Sequence, residues 1–140
     1  MVGLNEYTAG WSTENHRSHN HSLKIEIESI EDGGSFAYWW QLIESDIPYN
    51  KSLVLKAHIK LENVTALGVK IAIRTDGTNG VLGFADLKSP VKGNKNWTSY
   101  FVCLPPADMR TKRIFIFLIC YPKTTGVIFV DDISLTSYDL

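Results

Sequence analysis

The sequence predicts an all-β fold, an antiparallel sandwich of two sheets. Three observations carry that prediction. Hydrophobic residues recur with a period of two along most of the chain, the mark of half-buried strands. Glycine, proline and Asx turn signals separate these runs at intervals of roughly 8–12 residues or somewhat more, as in sandwich folds. No segment joins a 3.6-residue period to helix caps.

Taken in order, residues 22–29 (SLKIEIES) alternate Leu23, Ile25 and Ile27 with Lys24, Glu26 and Glu28. Residues 35–43 (SFAYWWQLI) lie between Gly33-Gly34 and Asp46-Ile47-Pro48 and are rich in aromatics, which suit a pleated surface. Residues 52–61 place Leu53, Leu55, Ala57, Ile59 and Leu61 on one face and Val54, Lys56, His58 and Lys60 on the other. Residues 67–74 set Val69, Ile71 and Ile73 against Lys70, Ala72 and Arg74. Asp76-Gly77 and Asn79-Gly80 then mark a turn. Residues 84–96 read as loop. Residues 97–104 run into Pro105-Pro106, which ends a strand. Residues 113–121 and 127–135 complete the pattern.

Two of these strands are apolar on both sides. In 113–121, Ile114, Ile116, Leu118 and Cys120 face one way and Phe115, Phe117, Ile119 and Tyr121 the other. In 35–43, one row is Phe36, Tyr38, Trp40 and Leu42, and the other is Ala37, Trp39, Gln41 and Ile43. A strand apolar on both faces is covered on both. In a two-layer sandwich one cover is the core, and the other is a loop, a partner or a ligand.

The chain has 140 residues, the size of one domain spanning 1–140. Fourteen Lys and Arg against 15 Asp and Glu leave a net charge of −1, which argues against a nucleic-acid binder. No apolar run approaches the ~18 residues of a membrane span. The start MVGLNEYTAGW lacks a basic stretch leading into an apolar one. No secretory signal is read, so the chain is expected inside the cell as it stands, or excised from a larger protein. Cys103 and Cys120 both sit in apolar runs and read as small buried hydrophobes.

The ordered motifs resemble a known family. The closing GVIFVDDISL resembles the final strand of galactose-binding-like jelly rolls, among them carbohydrate-binding modules attached to xylanases and related glycoside hydrolases. HSLKIEI resembles the opening strand, and FAYWWQLI the strand carrying Gln. KSLVLKAHIKLENV, IAIRTDG and PVKGNKNWTSYFVCLPP follow in the family's order. The set also resembles accessory domains fused to bacterial transcription regulators and peptidases. The resemblance covers residues 7 to 138. It implies a jelly-roll β-sandwich of eight or nine strands and a carbohydrate ligand. Fold alone leaves function open, since this one also hosts protein contacts and spacers.

Carbohydrate modules stack a flat ring on a sugar's C–H face and orient its hydroxyls with polar neighbours. Trp39 and Gln41 share a strand face, Arg74 lies opposite the aliphatic row, and Phe117 and Tyr121 lie on the doubly apolar strand. These five, with His58, are the expected ligand-binding residues. The alternative puts Trp39 in the core and turns Trp40 outward. Asp131 and Asp132 are neighbours on a strand and face opposite ways, so they form no catalytic dyad. By resemblance one of them is the candidate ligand for a structural calcium, with Glu6 as a second. His16, His19 and His21 cluster in a polar segment and read as a solvated loop ahead of zinc. No nucleophile, zinc-protease or phosphate-loop motif is present, so a non-enzyme is expected. The competing function is an interaction, homodimer or small-molecule-sensing module using the apolar face of residues 115–121.

Overall fold

The computed structural model describes residues 7–12, 22–27 and 36–139. Among them are eight strands: β1 (Tyr7–Ser12), β2 (Ser22–Ile27), β3 (Ala37–Ile43), β4 (Ser52–Gly77), β5 (Gly80–Asp86), β6 (Val91–Leu104), β7 (Arg113–Cys120) and β8 (Gly126–Tyr138). Every pairing between them is antiparallel. The order β1-β2-β8-β4-β7-β3, with β5 and β6 also paired to β4, makes one sheet that curls at β4 into two layers. This is the two-sheet antiparallel jelly-roll sandwich that the sequence predicts.

β4 forms the corner. Its first half pairs with β6 and β8, and its second half with β5 and β7. The strands expected at 52–61 and 67–74 are therefore one element of 26 residues. Between them the backbone turns left-handed at Asn63 (φ 53°), Ala66 (φ 56°) and Gly68 (φ 91°). Strands that switch sheets bend through such irregularities.

Aliphatic rows from the two layers meet in one core. Leu23 and Ile25 of β2, Leu55 and Ile59 of β4 and Ile128 of β8 come from one layer. Ile71 and Ile73 of β4 and Ile114, Ile116 and Leu118 of β7 come from the other. Each fully buried Leu or Ile of this kind stabilises the fold by about 1.5–3 kcal/mol.

Three elements differ from expectation. β1 has no counterpart in the sequence reading. The segment 84–96 is a loop only at 87–90; the rest is the end of β5 and the start of β6. The first half of β6 is mostly exposed, with lysines at 92 and 95, which suits an edge strand and hides its alternation. Cys103 is exposed on β6, a correction to its reading as buried, while Cys120 is buried on β7.

Candidate functional site

Register sorts the side chains of the β3–β7–β4–β5 layer. Tyr38 lies across from Ile119, which lies across from Lys70. The next rung is Trp40, Phe117, Ala72 and Asp86. The third is Leu42, Phe115, Arg74 and Phe84. Residues directly across antiparallel strands share a face, so these three rungs make one surface on the side away from the core.

That surface is aromatic and concave. A groove of about 430 Å³ is lined by Tyr38, Trp40, Arg74, Phe84, Phe115, Phe117 and Ile119. Trp40 meets Phe115 edge-on at 5.8 Å, Tyr38 meets Phe117 at 6.2 Å, and Phe36 tilts against Tyr121 at 5.3 Å. Phe115 and Phe117 stack with centroids 5.9 Å apart. Trp40 is 37% exposed and Phe84 50%, so the rings present area to solvent.

Two cations are held against these rings. The Arg74 guanidinium lies 4.7 Å from the Phe115 centroid and 5.4 Å from that of Phe117. Its Nε donates to Asp76 Oδ1 at 2.9 Å and its Nη2 to Asp76 Oδ2 at 3.0 Å. This fork uses two of five N–H donors and leaves three. Lys70 Nζ donates to Asp86 Oδ2 and sits 5.2 Å over the Tyr121 ring. Burial alone would lower the Lys70 pKa, but Asp86 and Tyr121 together outweigh it and hold the ammonium above its ordinary value. The result is an apolar floor with fixed hydrogen-bond donors at its edge, suited to a ligand with both C–H faces and hydroxyls.

Of the expected ligand-binding residues, the structure brings Arg74, Phe117 and Tyr121 to this face. Trp39 and Gln41 stand on the other row of β3, and the grouping of all five on one face is corrected. Trp39 packs against the core beside Leu55, Ala57, Ile116 and Leu118. Both rows of β3 carry a tryptophan, and the core side takes Trp39 while Trp40 is exposed. His58 is also removed from the groove. It is buried on the other layer, where its Nε2 shares a 2.7 Å hydrogen bond with Ser99 Oγ.

Tyr38, Trp40, Phe84 and Phe115 were not among the expected binding residues. Phe115 follows by parity from Phe117 and Tyr121. Trp40 and Tyr38 follow once the outward row of β3 is known. Phe84 has no signal in the sequence, because the segment 84–96 lacks the alternation of a half-buried strand.

The Asp131 side chain accepts the Asp132 amide at 2.8 Å, at a residue whose φ is 50°. Asp132 Oδ2 lies 3.9 Å from His58 Nδ1. Calcium takes a cage of oxygen ligands, and the second ligand expected for it, Glu6, lies outside the described residues. Among the described residues no group of three His, Cys, Asp or Glu side chains is placed to hold a metal. Glu6, His16, His19 and His21 lie outside the described residues.

No family model matches the chain, and no curated protein does. Solved structures do match. The enzymatically active domain of bacteriophage CBA120 tailspike protein 4 aligns with a TM-score of 0.74 and 15% identity, over 98% of this chain but 18% of that one. This chain therefore spans less than a fifth of the tailspike chain. A family 16 carbohydrate-binding module aligns at 0.60 with 16% identity, over 93% of this chain and 86% of the module. The CBM22-1 xylan-binding domain of Paenibacillus barcinonensis Xyn10C aligns at 0.62 with 10% identity, over 99% and 86%. The fold is thus the jelly-roll β-sandwich of carbohydrate-binding modules.

Proposed function

We propose that the chain is a non-catalytic binding module that takes a carbohydrate in the groove of the β3–β7–β4–β5 layer. The observation that carries this reading is the row of exposed rings with an oriented guanidinium between them. Trp40, Tyr38 and Phe117 provide stacking area for sugar C–H faces, and Arg74 donates its remaining N–H groups to hydroxyl oxygens. The likeness to carbohydrate-binding modules over most of their length supports the same ligand class. Asp76 and Asp86, the carboxylates beside the groove, are each bonded to a cation. That arrangement suits a receptor and does not make an acid–base pair, which needs one carboxyl protonated.

A glycan array with the wild type and Trp40→Ala in parallel tests the proposal. Wild-type binding that falls at least roughly tenfold in Trp40→Ala, with the melting temperature kept, is the expected result, since losing a stacked ring costs on the order of 1 kcal/mol or more. Equal binding by both proteins would remove the groove as the site. Light scattering on the same samples reads self-association, the competing use of this face.

A further inference from the structure

We infer that the groove selects neutral glycans against uronic acids, and that Asp76 and Asp86 impose the selection. The inference rests on the carbohydrate reading above and specifies its ligand class. An unpaired cation beside an aromatic floor would invite a sugar carboxylate. Here each cation on the floor already holds one. Asp76 takes the Nε and Nη2 of Arg74 at 2.9 and 3.0 Å. Those are one of the guanidinium's two parallel donor pairs, and the charge behind the remaining pair is already balanced by Asp76. Asp86 accepts a single hydrogen bond from Lys70 Nζ and stands in the rung of Trp40, Phe117 and Ala72.

The four groups sum to zero formal charge. Arg113 shares their row and lies opposite Asp76 in register. Its Nη2 donates to the Gly77 carbonyl at 3.3 Å, at the end of the layer. β3 carries no charged residue from Ala37 to Ile43. Arg74 is the charged residue lining the groove, so a uronate there would compete with Asp76 for the guanidinium, with Asp86 in the neighbouring rung. Displacing Asp76 would leave a buried charge without its partner, which is costly. A neutral sugar accepts from the three remaining N–H groups of Arg74 without bringing a charge that competes with Asp76.

The face also has length. Phe36, Tyr38 and Trp40 recur every second residue, which spans about 14 Å along the strand. A run of sugar rings fits that ladder better than one terminal ring.

Isothermal titration of the wild type, Asp76→Asn and Asp86→Asn against cellohexaose, xylohexaose, mannohexaose and hexagalacturonate tests the inference. The wild type should bind at least one neutral hexasaccharide and bind hexagalacturonate at least roughly tenfold more weakly. Asp76→Asn should narrow that ratio by roughly tenfold, the size expected when a charged hydrogen-bond partner is neutralised. Asp86→Asn should move it the same way, and it provides the reading if Asp76→Asn does not fold. Hexagalacturonate binding as tight as any neutral glycan, or a ratio unchanged in both variants, overturns the selection while leaving a carbohydrate module. A wild type that binds none of the four overturns the carbohydrate reading, and this inference with it.

Discussion

Trp39 and Trp40 are adjacent in sequence, and the sheet sends them to opposite sides. Trp40 is 37% exposed with its ring 5.8 Å from Phe115. Trp39 packs on Leu55, Ala57, Ile71 and Leu118. Their truncations should therefore separate. Trp39→Ala should cost about 3 kcal/mol in urea unfolding, the scale of emptying a large core site. Trp40→Ala should cost less than about 1 kcal/mol, because its ring leaves no enclosed cavity. Equal costs would mean that both rows of β3 are structural. Alternation in the sequence separates the two rows cleanly, and the pairing of Phe117 with Tyr121 and of Arg74 opposite the aliphatic row is legible from it. Which row of β3 faces in is not legible. Both rows are apolar, and the core residues that receive Trp39, Leu55 and Ala57 among them, come from a distant part of the chain. Arg74 illustrates the same limit. Its face could be read from parity, but its clamp by Asp76 depends on both residues lying two apart on one extended strand with Phe115 and Phe117 beside them.

At the scale of the element, β4 decides the shape. The strands at 52–61 and 67–74 are legible because each alternates regularly. Their continuity is not, because Asn63, Ala66 and Gly68 look like a loop in sequence and act as a corner in the sheet. Two glycines close that corner. A Cβ on Gly68 would meet the Val91 carbonyl oxygen at 2.1 Å, and a Cβ on Gly126 would meet the Asn63 carbonyl oxygen at 2.6 Å and Val64 Cα at 2.8 Å. Gly126 also has φ at 128°, a conformation that side chains rarely adopt. Gly126→Ala should therefore cost about 2 kcal/mol or more. Gly80→Ala is the control. Its φ is 143°, yet nothing lies within 4 Å of the added Cβ. Urea unfolding midpoints should fall further for Gly126→Ala than for Gly80→Ala. Equal falls would mean that backbone conformation, and not the packing of β8 on the corner, limits the site. β5 and the start of β6 escaped the sequence reading for a related reason. They are edge segments, and solvent on one side relaxes the demand for alternation.

For the whole molecule, the ionisable groups with raised values set how stability changes in alkali. Burial pushes the Cys120 thiol from 9.0 up to about 12. Burial also raises Tyr100 from its ordinary 10.0, against the pull of its hydrogen bond with Thr98. Lys70 stands above its ordinary 10.5 because Asp86 and Tyr121 outweigh its desolvation. All three hold their protons more tightly in the folded state than in the unfolded chain. Between the unfolded and folded values the unfolded chain binds fewer protons, so stability falls as pH rises. The contribution of each group is complete below its unfolded value and is lost as pH climbs through its folded one. The decline should begin near pH 9, with Cys120, and steepen above pH 10 as Tyr100 and Lys70 join. Cys120→Val keeps an apolar side chain of similar size on a strand and removes the first titration. Unfolding midpoints in urea, measured under reducing conditions from about pH 8 to about pH 11, should fall earlier for the wild type than for Cys120→Val. Cys103 is exposed and is the same in both proteins, which leaves this comparison intact. Parallel curves for the two proteins would show that the buried thiol does not govern the onset. Lys70 beside the groove keeps its charge in the folded protein until pH rises above 10.5, so ligand binding should hold through the first part of the decline.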